Sequence, residues 1–255
     1  MIRLAVTALG ALMCGVIWAA PAAAQNVDVL TRSAFHLSAE HLSSDDPRFV
    51  WDANFGGDLD LVDYGSGRIN FLANYQAVLG ERARKFDPEQ GNYILAGFAS
   101  YRFTHSEAAI VFHHESRHLS DREKLQAVDW NMLGGRLLNS LDTHGVRIDS
   151  RADLRAAIMK SYVDYRWQFD GESRVSYPLD DRVRVFASGD LQFLGVNGDR
   201  DRGTQTGARL EGGLHLAGKG AGAELFVAVE RRVDPYPLEF STATWLTAGF
   251  RFLNK

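Results

Sequence analysis

Residues 146–158 read VRIDSRADLRAAI, and the alternation in that stretch decides the fold. Successive side chains of an extended chain point to opposite faces. Val146, Ile148, Ser150, Ala152, Leu154, Ala156 and Ile158 therefore share one face, and Arg147, Asp149, Arg151, Asp153 and Arg155 share the other. The run exceeds the ~9–11 residues that a tilted strand needs to cross a bilayer. One face suits lipid and the other suits water.

The same alternation recurs along the chain. Phe49, Trp51, Ala53, Phe55, Leu59 and Leu61 alternate with Asp52, Asn54, Asp58 and Asp60, and Val163, Tyr165, Trp167 and Phe169 with Asp164, Arg166, Gln168 and Asp170. Taking turn residues as breaks predicts strands near 33–44, 49–62, 68–80, 93–103, 108–119, 128–141, 145–159, 161–170, 183–195, 203–217, 222–233 and 242–252. That is an all-β, antiparallel transmembrane barrel of about 12 strands, an even number as bacterial single-chain barrels prefer. Tight turns at 64–67, 104–107, 142–145 and 218–221 alternate with longer polar loops such as 81–92 and 196–202, which puts both termini on the periplasmic side. Tyr93, Tyr101, Phe103, Tyr162, Trp245 and Phe252, near strand ends, suit the aromatic girdles of such barrels. A soluble exported sandwich or lipocalin-like barrel also alternates, but with shorter strands and its apolar face inward.

The chain opens MIRLAVTALGALMCGVIWAAPAAAQN: a single early charge at Arg3, an apolar stretch, then Ala22-Ala23-Ala24. That reads as a signal peptide over residues 1–24, cut after Ala24, with residues 25–255 forming the barrel in the bacterial outer membrane. The one cysteine, Cys14, falls inside the signal, so the mature chain carries no disulfide and no thiol nucleophile. A formal charge of −4 implies no nucleic-acid partner.

One strand breaks the apolar pattern. After Ile110 and Phe112 the outward parity continues through His114, Ser116 and His118, while His113, Glu115 and Arg117 face the lumen. Polar groups in hydrocarbon need partners or a purpose. His114 and Ser116 lie two residues apart on one side of a strand, a nucleophile-and-base arrangement of acyl transfer. The next strand brings Asp129, with Asn131 as the alternative, on the matching parity to orient the imidazole. Arg117 or His118 near the rim offers a contact for a lipid phosphate. The competing readings are a solvated polar rim and a lumenal metal chelated by His113 and Glu115; His114 and His118 are too far apart along the strand to share an ion.

His114-Glu115-Ser116 with Asp129 resembles the constellation of outer-membrane phospholipase A and the lipid A deacylases, which carry His-x-Ser on one barrel strand and an Asn or Glu on the following one. The likeness covers two strands, roughly residues 108–141. The phospholipase run continues Ser-Asn-Gly, whereas Ser116 is followed by Arg117-His118. The resemblance implies an outer-leaflet acyl-ester hydrolase acting on membrane lipid; calcium is the one cofactor it raises, and the departure after Ser116 falls on the calcium-assisted oxyanion site. The string His114-x-Ser116-x-His118-Leu119-x-Asp121 is also similar to an H-x-S-x-H-L-G-D-E run of an uncharacterised family of outer-membrane barrels, which implies architecture but no activity. The alternative to the enzyme is a structural or binding barrel, or a narrow pore.

Overall fold

The computed structural model describes residues 27–123 and 126–254; the expected signal segment lies outside them. Twelve strands follow one another: β1 (Asp28–Leu42), β2 (Trp51–Asp63), β3 (Arg68–Gly80), β4 (Asp87–Arg102), β5 (Ser106–Leu119), β6 (Val128–Thr143), β7 (Val146–Ser161), β8 (Tyr165–Pro178), β9 (Val183–Val196), β10 (Gln205–Ala217), β11 (Ala221–Val233) and β12 (Thr242–Asn254). Each pairs antiparallel with its sequence neighbours, and β1 pairs with β12 to close the barrel. Closure leaves no strand edge unpaired, the condition for a sheet in lipid.

Alternation sets the two surfaces. Ile110 is 69% exposed and its neighbour Val111 is fully buried; Leu154 is 59% exposed and Asp153 only 2%. Exposed Phe55, Phe71, Leu95, Leu133, Leu191, Leu210, Val227 and Phe250 continue this apolar belt around the barrel. The apolar face thus points outward, the reverse of a soluble barrel. Leu154→Arg, eight residues above the β7 start, is expected to cost about 2–4 kcal/mol of stability in vesicles, as a midplane arginine does. Urea titration measures it, and an unchanged midpoint would reverse the assigned face.

The lumen is filled with ion pairs. Asp153 is held by Arg136 at 2.7 Å, Arg151 pairs with Glu172 at 2.9 Å, and Arg155 pairs with Asp170. Arg147 and Asp149 pair at 2.9 Å near the short turn below. That turn, His144-Gly145, has both φ angles positive, at 50° and 79°, as a two-residue hairpin of matching twist requires.

The outer end differs from the alternating pattern. Phe49, Val163, Tyr165 and Trp245, expected toward lipid, are buried in two inward clusters with Leu42, Val78, Val128, Trp130, Met132, Leu194, Val233 and Tyr236. A register shift between Tyr165 and Trp167 turns the top of β8 inward, a bulge effect. Segment 234–241 joins the plug. Its Asp234 takes Arg202 at 2.8 Å and the Tyr165 hydroxyl at 2.8 Å, and its carbonyl takes Arg117 Nη1 at 2.5 Å. In the adjoining 162–164 loop, burial works to raise the Asp164 carboxyl, but hydrogen bonds and charge from Arg202 outweigh it and hold it below the ordinary range. Wild-type protein in planar bilayers is expected to conduct negligibly, and Asp234→Ala to admit open-channel events; sustained wild-type conductance would contradict a plugged mouth.

β4 begins at Asp87 and β8 runs to Pro178, so the 81–92 loop and the 170–183 break are shorter than the sequence suggested. The connections at 43–50, 81–86, 162–164, 197–204 and 234–241, all but one of them six to eight residues long, stand opposite short turns at 64–67, 103–105, 144–145, 179–182 and 218–220. The longer set marks the outer side.

Candidate functional site

On β5 the outward face carries His114, Ser116 and His118 in succession, five to one residues below its upper end at Leu119. Register fixes what flanks them. Leu95 and Tyr93 of β4 lie beside His114 and Ser116, and on the other side Asn131 lies opposite His114 and Asp129 opposite Ser116. His114 Nδ1 hydrogen-bonds Asn131 Oδ1 at 2.8 Å. An amide oxygen can only accept, so Nδ1 donates and the proton is fixed there. Nε2 is left as a lone pair.

The hydrogen-bond partner of His114 is thus Asn131, the alternative to Asp129. The hairpin register sets Asn131 directly across from the imidazole and puts the carboxylate two residues nearer the rim. Asn131 is only 7% exposed although Leu133 and Leu137 on the same face are open. Its other neighbour is Met159, and here β7 holds one extra residue: Asn131 pairs with Met159 but Met132 with Ala157. Ile158 and Met159 are both exposed as a result. Bulges re-aim side chains beside functional sites, and this one stacks two large apolar groups next to the polar cluster.

The Ser116 hydroxyl meets His118 Nε2 at 3.3 Å, and no hydrogen bond joins it to His114 among the described residues. His118 packs its ring edge-on against Tyr93, with centroids 5.6 Å apart, and Tyr93 in turn meets Tyr75 at 5.0 Å. Tyr75 lies across Gly91, where a Cβ would come within 2.6 Å of the phenol oxygen, so the absence of a side chain there admits the ring. Gly91 is the β4 partner of His118. Tyrosines, two imidazoles, a hydroxyl, Leu95 and the exposed pair of β7 together make an amphipathic patch at girdle height.

Arg117 does not reach this patch. It points inward, bonded to Glu115 at 2.8 Å and to the Asp234 carbonyl, over the Trp130 ring. His113 stands 3.6 Å from Glu115 in the lumen. Among the described residues no three His, Cys, Asp or Glu side chains gather as a metal centre. Across from Ser116, Asp129 offers a single carboxylate.

No protein-family model matches this chain, and no curated protein matches it in sequence. Solved structures share its fold. The outer membrane phospholipase of Salmonella typhi, a dimer with bound calcium, gives a TM-score of 0.54 at 12% identity over 88% of this chain and 90% of that one. The Escherichia coli outer membrane phospholipase A gives 0.54 at 12% identity over 89% and 98%, and its asparagine-to-alanine active-site mutant gives 0.53. LpxR from Salmonella typhimurium gives 0.47 at 10% identity over 86% and 99%. The likeness is structural, and it makes this chain a barrel of the outer-membrane kind.

Proposed function

We propose that this barrel is a serine esterase of the outer membrane, deacylating a phospholipid or lipid A that reaches it from the outer leaflet. The observation that carries the reading is the His114–Asn131 hydrogen bond on the outward wall, two residues along the strand from Ser116. It supplies an imidazole of fixed tautomer beside a hydroxyl, where a lipid-facing strand should otherwise be apolar. The solved phospholipase with an active-site asparagine lends support of the same chemical kind.

Cα atoms two apart on a strand are separated by ~6.6 Å with side chains parallel, so rotation of Ser116 about χ1 carries its hydroxyl from His118 to His114. His114 Nε2 takes the proton as Oγ attacks the ester carbonyl. The tetrahedral intermediate collapses, the C–O bond to the lipid alcohol breaks, and His114 returns the proton to that alcohol. Water then cleaves the acyl-serine by the same route in reverse. The acyl chain lies along Leu95, Ile158 and Met159, and the headgroup stands at the level of Tyr93 and Asp129. Residues 1–24 are removed on export in this reading, and an intact mass beginning at Gln25 would check it.

The test is hydrolysis of phospholipid and lipid A by the refolded barrel in mixed micelles, with and without calcium, together with labelling of Ser116 by a fluorophosphonate. The engagement of Ser116 with His118 favours a second reading, a non-enzymatic barrel with a hydrogen-bonded polar rim. Absence of both turnover and labelling would select it.

A further inference from the structure

We propose that His118 donates the hydrogen bond that stabilises the oxyanion formed when Ser116 attacks an ester, an inference that rests on the esterase reading above. Attack turns the carbonyl oxygen into an alkoxide, and acyl-transfer sites aim N–H or O–H donors at that oxygen. Backbone amides often serve, but only where a turn or helix start leaves them free. Ser116 sits inside a ladder. It is paired with Tyr93 on one side and Asp129 on the other, and the following residue, Arg117, with Asn92 and Val128. Amides of an interior strand lie in the plane of the sheet and are committed to neighbouring carbonyls. The donor must come from a side chain.

The nearby cations are turned elsewhere. Arg117 points into the lumen, and Lys160 donates to the Tyr165 carbonyl at 2.9 Å. Tyr75 stands on β3, two strands from Ser116, and Asn131 is engaged two residues lower by His114. His118 Nε2 is already 3.3 Å from Ser116 Oγ, and the edge contact with Tyr93 limits rotation of its ring.

Two imidazoles thus bracket one hydroxyl, and their surroundings divide the labour. His114 donates its Nδ1–H to an amide oxygen in a hydrogen bond, which leaves Nε2 as the acceptor of the serine proton. His118 keeps its Nε2 proton and donates it as a hydrogen bond, first toward Oγ and then to the carbonyl oxygen that becomes negative as the Oγ–C bond forms. No proton leaves His118. When the intermediate collapses, the oxygen regains its double bond, the alcohol departs with the proton held by His114, and His118 is unchanged.

The experiment compares wild type, Ser116→Ala, His114→Ala, His118→Ala and His118→Gln as full-length refolded barrels, each verified by heat-modifiable migration, on a thioester phospholipid analogue. Wild type should turn over and Ser116→Ala should not. His118→Ala should lower kcat by about 10²–10³-fold with little change in KM, as loss of one oxyanion donor does. His118→Gln retains an N–H donor but cannot accept a proton, and should recover roughly tenfold or more of that loss. A KM effect with kcat unchanged would overturn the proposal in favour of a substrate contact. Failure of both His118 variants to the level of His114→Ala would overturn it in favour of His118 as the base. If wild type itself equals Ser116→Ala, the esterase reading falls and takes this role with it; results confined to the His118 variants reject this role alone.

Discussion

Ser116→Ala should reduce ester hydrolysis by the folded barrel by a factor on the order of 10⁴ or more, and His114→Ala should come close to it, because nucleophile and base act as one unit and loss of either removes the covalent route. Asn131→Ala is expected to cost about 10²-fold: Nδ1 loses its acceptor, the ring populates the wrong tautomer and orientation, and yet base and nucleophile still meet part of the time. Asp129→Ala should stay near wild type, since the register sets it beside Ser116 and His114 already has a partner. The ordering discriminates more sharply than any one value. An Asp129 loss exceeding that of Asn131 would mean that the working site is shifted by two residues from the resting hydrogen bonds. Fluorophosphonate labelling read on the same variants separates loss of the nucleophile from loss of lipid binding.

The wall of this barrel was legible because lipid and lumen impose a period of two that the sequence must obey at every strand. The 146–158 stretch suffices to assign both faces, and its charges do lie inward among ion pairs. The outer plug was not legible, and for a physical reason. Above the hydrocarbon nothing penalises an inward aromatic, so Phe49, Tyr165 and Trp245 keep the spacing of lipid-facing residues while packing against one another inside. Bulges are equally silent in sequence, since one extra residue in β7 changes no composition yet exposes Ile158 and Met159 together beside Asn131. The outward parity of His114, Ser116 and His118 could be read from Ile110 and Phe112. Which of Asp129 and Asn131 lies opposite His114 could not, because it depends on the register between β5 and β6.

The lumen should prove as sensitive to one missing cation as the wall is to an added one. Arg209 Nη1 reaches Glu230 at 2.7 Å, and its Nη2 reaches Glu40 and Glu211, each at 2.8 Å. Arg232 extends the chain from Glu230 to Asp52, and Arg251 extends it from Glu211 to Glu224. The linking cations are all arginine, whose planar fork can hold several carboxylates at once where a lysine could not. Glu230 and Glu211 each keep a second arginine if Arg209 is lost, but Glu40, 7% exposed, has Arg209 as its hydrogen-bonding partner among the described residues. Arg209→Met therefore strands a buried carboxylate, and breaking such a pair costs about 3–5 kcal/mol. Adding Glu40→Leu removes the stranded charge, so the double variant should be more stable than Arg209→Met alone, a coupling that a two-site cycle isolates. Urea titrations of tryptophan fluorescence in vesicles give all four corners. A loss under about 1 kcal/mol for Arg209→Met would mean that lumenal water solvates Glu40 unaided, and the network would then be an effect of a wet interior rather than a source of its rigidity.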